Sequence, residues 1–268
     1  MFNTSKCAAI VASCLALVTQ WAAAATPETY YAFVFNGPNP GQEAEYNRWY
    51  NEEHAPDVVS VPGFMTAQRF KLSPVQMRAN ADDKAPPYLV LYKIVTDDLS
   101  AVYAEVNRRA GNGQTRMSST MARGGGMNVT YRLTTPERAA SKKKGAQTFY
   151  HIVFSDSKPG EEAALDQWYV KSHGPDMNKL PGSMGYWFGT LSSVQMTPET
   201  KFQGHASVFH IEANDMTATS AAFAKTVGSM APGPAMSNVW GYTYQAIGPE
   251  FSGDTIRAER AAATAGKK

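Results

Sequence analysis

The chain holds five histidines, and two of them recur inside one pattern. "WYNEEHAPDVVSVPG" (Trp49 to Gly63) returns as "WYVKSHGPDMNKLPG" (Trp168 to Gly182), so W-Y-x-x-x-H-x-P-D-x-x-x-x-P-G is written twice. Each copy sets a histidine three residues before an aspartate. An imidazole beside a carboxylate is equipment for proton transfer, because the carboxylate orients the ring and keeps it basic. Tyr50 precedes His54, and Tyr169 precedes His173, by one helical turn. On a helix that spacing puts phenol and imidazole on one side, with the histidine at the C-terminal end, where the dipole favours its charged form. Pro56 and Pro175 begin the next turn and aim Asp57 and Asp176. His54 with Asp57 and His173 with Asp176 are therefore candidate acid–base pairs. The competing reading is architectural: the histidines close a helix end and the aspartates cap the turn that follows. Trp49, Tyr50, Trp168 and Tyr169 have the spacing of a buried helix face, and Tyr50 and Tyr169 are also placed to touch a substrate.

The other three histidines have no twin. Aligning the copies sets His151 over Ala32, His205 over Tyr88 and His210 over Lys93. All three fall in expected strands. His151 alternates with Tyr150 and Ile152, while His210 and Glu212 alternate with Phe209 and Ile211. Such polar positions sit poorly against apolar helices, so they are expected to face a barrel lumen as a titratable cluster among aromatic rings. Solvation at a strand edge is the alternative for His210 and Glu212. His205 lies on the opposite alternation, at a strand start. "GYWFG" (Gly185 to Gly189, with Trp187) and "WGYTY" (Trp240 to Tyr244) supply rings and glycines that leave room for a flat ligand, or else pack a core. Arg69 and Lys93 offer positive charge for a carboxylate or phenolate; Phe188 and His210 stand in their places in the other copy. One working site is expected, in the second half, and one degenerate site.

No Gly-rich phosphate loop, G-x-S-x-G turn, H-E-x-x-H or dinucleotide fingerprint occurs, so nucleotide-dependent and covalent chemistry lose support. Net charge is +2 and no basic stripe runs along the chain, which argues against a nucleic-acid partner. The two cysteines, Cys7 and Cys14, both lie in "MFNTSKCAAIVASCLALVTQWAAAA", which reads as a secretory signal over residues 1–25. The expected mature chain is thus exported to the periplasm or beyond, without thiols, and has no membrane span.

The elements that must position these residues follow from the repeat. Tyr31 to Met77 lies over Tyr150 to Met196 without a gap, with 20 of 47 positions identical. Each copy reads as strand, helix, strand, strand, helix, strand: "YYAFVF", the W-Y-x-x-x-H helix, "MTAQRFKL", "PYLVLYKIV", a helix capped at Asp97 or Asp98, and "MNVTYRL". This β-α-β-β-α-β order is the ferredoxin-like unit. The expected division is 26–136 for the first unit, 137–146 for a linker, 147–250 for the second unit and 251–268 for a frayed tail, with a mobile glycine-rich loop from Gly111 to Asn128. A four-stranded sheet with helices on one face needs its other face covered, and the second unit is available to cover it.

The run P-G-x-E, W-Y-x-x-x-H-x-P-D-x-x-x-x-P-G and the strand behind it resembles the EthD-like branch of the dimeric α+β barrel superfamily. That resemblance implies an α+β fold of two units packed sheet to sheet, here as an intramolecular barrel, acting as a monomer or a homodimer. The residues leave cofactor-free proton transfer by histidine and carboxylate on an aromatic or phenolic molecule, by isomerisation, cyclisation or elimination, and the resemblance points the same way, since it implies a histidine and a tyrosine at work in the barrel cleft. Two alternatives stay open. Relatives in the superfamily bind haem through a cavity histidine, a role open to His210 or His151, and His-rich strands also bind transition metals. A small-molecule binding protein without turnover is the second.

Overall fold

The computed structural model describes residues 26–78, 85–122, 126–135, 137, 145–198, 200–227, 229–230 and 232–266. The leader expected over 1–25 and most of the expected linker, 138–144, lie outside them. The first unit runs β1 (Glu28–Asn36), α1 (Glu43–Trp49), a wide helical turn (Tyr50–His54), α2 (Ala55–Val59), β2 (Phe64–Leu72), β3 (Tyr88–Thr96), α3 (Leu99–Gly111) and β4 (Met127–Leu133). The second runs β5 (Gln147–Ser157), α4 (Glu162–Trp168), a second wide turn (Tyr169–His173), α5 (Gly174–Met177), β6 (Ser183–Leu191), β7 (His205–Ala213), α6 (Met216–Val227) and β8 (Met236–Ser252). Asp98 caps α3 by accepting from the Ala101 amide at 2.9 Å.

The eight strands close into one barrel in the order β1-β3-β2-β8-β5-β7-β6-β4. Each unit contributes four adjacent antiparallel strands, and the units meet at two seams, β2 with β8 and β4 with β6. Closure removes every free sheet edge. Alternation then sorts the side chains. Tyr31, Phe33 and Phe35 of β1 point inward with Phe154, Trp187 and Tyr244, while Ala32 and Val34 point outward beneath the helices.

Among the described residues the lumen is filled by close-packed aromatic rings. Trp187 stacks on Tyr31 with ring centroids 4.2 Å apart, and Phe154 packs edge-on against Phe33 at 5.1 Å. This corrects the expectation of a flat ligand between "GYWFG" and "WGYTY", and Trp187 as a substrate contact. The glycines serve backbone approach instead: a Cβ on Gly189 would come within 2.8 Å of the Arg132 carbonyl at the β4–β6 seam. His151 is corrected as well. Tyr150, Ile152 and Phe154 take the inward positions of β5, so the period of two turns His151 outward, toward the helices. His210 and Glu212 do take the lumen side, at one end of the barrel.

The expected frayed tail is a helix, α7 (Gly253–Ala265), whose alanine-rich sequence favours that state. Ser252 caps it, and Arg257 donates to the carbonyls of Val59, Val61 and Phe64 at 3.0–3.3 Å, satisfying the open end of α2.

Candidate functional site

Each repeated motif folds as one helical run interrupted by a wide turn. The Ala55 amide reaches back to the Tyr50 carbonyl, and the Gly174 amide to that of Tyr169, a five-residue step in place of four. Such π-turns are rare and concentrate at functional sites. Here the extra residue swings the histidine over the preceding tryptophan. His173 lies flat on Trp168 at 4.4 Å and 15°, and His54 sits 4.6 Å from Trp49. The backbone of Gly233 covers the other face of Trp168 so closely that a Cβ there would lie 2.5 Å from the indole.

Neither histidine is hydrogen-bonded to its aspartate, which corrects both proposed pairs. Side chains on a helix lean toward its N-terminus, so each imidazole tilts to the Trp-Tyr pair and away from the aspartate one turn later. The helix also continues past the histidine, so no C-terminal dipole acts on it. Burial depresses both imidazoles instead.

In the second unit the histidine opens onto a cavity of about 480 Å³ between the sheet and the helices. His173 shares its wall with His151, Tyr169, Ser207, Arg78 and Phe223. Phe209 meets the His173 ring edge-on at 5.5 Å, and four methionines, Met77, Met177, Met230 and Met236, complete an apolar lining. The Nδ1 atom of His173 is buried and has no hydrogen-bond partner. Burial holds His173 down to about 4 and His151 to about 3, the latter with help from the nearby Arg78 and His173 charges. Both rings are therefore neutral at neutral pH. Tyr169, its phenol raised by burial, stays protonated, with its hydroxyl 3.4 Å from Ser155 Oγ and from Met236 Sδ. Asp176 faces Lys179 at 2.7 Å, and its charge only partly offsets the effect of burial on His173.

The first unit has a smaller cavity, about 320 Å³, lined by Asn36, Tyr50, His54 and Tyr92 among others. Asn36, Tyr50 and His54 are paired there, while the buried Thr115 hydroxyl is without a hydrogen-bond partner. Tyr46 donates to Asn36 Oδ1 at 2.5 Å and Asn36 donates to the Tyr50 hydroxyl at 3.1 Å. His54 Nδ1 lies 3.1 Å from the Arg116 carbonyl. Asp57 is buried between Arg116, at 2.8 Å, and Arg260 of α7, at 2.5 Å. Those two contacts hold Asp57 below the usual carboxylate range against the opposing effect of burial. They also pin the described part of the expected mobile loop. Arg69 is buried rather than free for a ligand: it donates to Asn47 Oδ1 and Asn51 Oδ1, both at 2.7 Å, and lies under the Tyr50 ring at 4.6 Å.

Lys93, His210 and Glu212 line neither cavity. Lys93 pairs with Glu137, and His210 Nε2 is 3.5 Å from Glu212 Oε1, which also accepts from Thr148 at 3.1 Å. His210 packs against Tyr150 on the lumen side of β7, whereas Phe209 beside it faces His173. The sheet thus separates His210 from His173, and the two cannot share a site. His205 is buried, 3.4 Å from Asp166.

Sequence reasoning missed the segment that closes each cavity. Ser73 to Met77 leaves the first unit and docks on β8 of the second, and Ser192 to Met196 docks on β4 of the first. Gln76 Nε2 donates to the Thr243 carbonyl at 3.0 Å while Gln76 Oε1 accepts the Thr243 amide at 2.7 Å. Gln195 makes the same two bonds to Thr130, each at 2.8 Å. The signal was present: "KLSPVQM" and "TLSSVQM" agree at five of seven positions, in a stretch with no strand or helix pattern to explain it.

Of the two histidines considered for haem, His210 lines neither cavity, while His151 lines the larger one together with His173 and Arg78, the one cation among its described residues. No group of three or more His, Cys, Asp or Glu is placed to hold a metal ion among the described residues.

No protein-family model matches the chain, and no curated protein matches it. Solved structures do. The fold is similar to that of a proposed monooxygenase from Fusobacterium nucleatum, at 12% identity and a TM-score of 0.54, with 85% of this chain and 98% of that chain covered. An anthrone oxidase-like protein matches at 12% identity and a TM-score of 0.49, covering 84% and 93%. A chlorite dismutase variant from Candidatus Nitrospira defluvii matches at 10% identity and a TM-score of 0.45, covering 86% and 94%. At 12% identity what the chain shares with the Fusobacterium protein is the fold, a ferredoxin-like α+β barrel.

Proposed function

We propose that this chain is an exported enzyme, an EthD-like unit duplicated in tandem, which uses the cavity of its second unit for cofactor-free proton transfer on an aromatic or phenolic small molecule. The observation that carries the reading is the buried, unpartnered Nδ1 of His173 in the wall of an apolar cavity. A buried polar atom without a partner costs roughly 1–3 kcal/mol, a cost that a catalytic role for the ring would account for. A neutral imidazole accepts a proton, and the apolar, methionine-rich walls suit a flat hydrophobic molecule. His173 takes the proton from an acidic C–H or O–H of the substrate. The electron pair left behind either collapses toward a neighbouring oxygen, with the proton returned at another carbon, or expels a leaving group. The first course is isomerisation and the second elimination; attack of the same pair on a carbonyl carbon within the molecule, with the proton returned to the carbonyl oxygen, is cyclisation. Tyr169 and Arg78 line the same cavity, one as a neutral donor and the other as a positive charge that favours acidic substrates.

The test is solvent exchange. Phenolic ketones and other enolisable aromatic compounds are incubated with the protein in D2O and followed by proton NMR. The expected result is deuterium uptake at the acidic carbon of one compound class, faster than the buffer rate by a factor on the order of a hundred or more. Binding of such compounds in the cavity with no exchange and no product would replace the enzyme reading with that of a binding protein.

A further inference from the structure

We infer that Thr243 fixes the proton of His151 on Nε2, which makes this imidazole a hydrogen-bond donor toward the cavity and Thr243 its positioning residue. The argument is a count of protons. Thr243 is fully buried on β8, and its hydroxyl oxygen has two described neighbours. The Met77 amide donates to it at 3.2 Å, and His151 Nδ1 lies 3.1 Å away. An amide can only donate, so it occupies a lone pair of the hydroxyl. The single hydroxyl proton then goes to the acceptor within reach, His151 Nδ1. A neutral imidazole that accepts at Nδ1 carries its own proton on Nε2. With Nδ1 turned to β8, the opposite edge of the ring is what His151 presents to the cavity it lines.

The backbone that carries this hydroxyl is held from both sides. Ser73 N donates to the Thr243 carbonyl at 2.9 Å, and Gln76 holds the same residue's amide and carbonyl from the other side. The segment Ser73 to Met77, which belongs to the first unit, therefore sets the tautomer of a histidine in the second. The pseudo-equivalent position shows the same clasp without the histidine. Ser192 and Gln195 hold Thr130 in the same way, but there the hydroxyl pairs with Tyr103, and Ala32 stands where His151 would be.

The assignment deepens the reading given above and rests on it for its catalytic meaning. If His173 removes the proton, His151 is the donor that meets the oxygen on which negative charge develops, much as a neutral imidazole polarises a carbonyl elsewhere. The substrate class narrows accordingly to molecules with an acceptor oxygen, a ketone carbonyl or a phenolate, beside the acidic proton.

The test is nitrogen-15 NMR of the histidine-labelled full chain at pH 7, with His151→Gln identifying the resonances. The expected spectrum shows His151 Nδ1 unprotonated and Nε2 protonated. Thr243→Val, close in size but without a hydroxyl, is expected to mix or reverse the tautomers, and Thr243→Ser to restore the wild-type pattern. Exchange of a ketone substrate is expected to fall on the order of tenfold to a hundredfold in Thr243→Val and to recover in Thr243→Ser. A wild-type His151 protonated on Nδ1, or a Thr243→Val spectrum identical to wild type, overturns the inference. If the tautomer is as assigned but no compound exchanges in any variant, the proton-transfer function fails and the positioning by Thr243 stands.

Discussion

The two units carry the same motif and use it differently. In the first, His54 rests on a backbone carbonyl, Asp57 is locked between two arginines, and Asn36, Tyr46 and Tyr50 bond to one another. In the second, His173 keeps a buried nitrogen without a partner, Asp176 faces a surface lysine, and a second histidine joins the wall. The difference lies in the neighbours. Where the first unit has Asn36, Arg69 and Tyr92, the second has Ser155, Phe188 and Phe209, and where it has Ala32 the second has His151. A polar environment gives the first histidine a structural job. An apolar one leaves the Nδ1 of the second histidine without a partner.

The largest expected effect separates the two histidines. His173→Gln is expected to lower the rate of exchange or turnover by about a thousandfold, and His54→Gln by no more than about twofold, measured side by side on the same substrate. A reversal of that order would move the active cavity to the first unit. The aspartates sharpen the contrast from the stability side. Asp57→Asn removes the buried partner of two half-exposed arginines and is expected to cost about 2–3 kcal/mol in chemical denaturation, whereas Asp176→Asn costs under about 1 kcal/mol. Equal losses would mean that the Asp57 cluster is ordinary surface charge.

A smaller effect concerns acid. His173 gains its proton only as pH falls through about 4, so the rate is expected to stay level from pH 8 to about 5 and to vanish below about 4. A midpoint near the ordinary value of 6.5 would show that the cavity is wetter than its lining implies. Stability follows the same groups. Between about pH 6.5 and 4 the unfolded chain binds protons that the folded His151 and His173 refuse, so stability rises with pH across that window and declines on acidification. The slope is on the order of 1 kcal/mol per pH unit for each histidine.

Much of this architecture was legible in the sequence because it depends on period and repetition. The alternation in "YYAFVF", the helix carrying Tyr46 and Trp49, and the doubled motif were enough for a barrel of two ferredoxin-like units. The site was less legible, for three physical reasons. The π-turn at Tyr169 to His173 leaves no mark in residue spacing, yet it turns the imidazole onto Trp168. The inward or outward sense of β5 depends on which alternate set fills the lumen, and "FYHIVF" is apolar on both sides of His151. Arg69, which looked like a free cation, is consumed by Asn47, Asn51 and the Tyr50 ring, partners that lie in sequence about twenty residues away on another element. Alanine and charge in the tail suggested fraying, but Arg257 and Arg260 find acceptors on α2 and tie α7 down.

The clasp between Gln76 and Thr243 joins residues 167 positions apart. A contact of that span closes late in folding, because the entropy of a long loop must be overcome before the bond can form. Strand β8 therefore completes three things at once: the barrel, the wall of the larger cavity and the orientation of His151. A chain released before β8 is made, or trimmed within it, has the motif and both histidines of the site but no enclosed place for a substrate. Enclosure of that cavity therefore depends on β8 being in place.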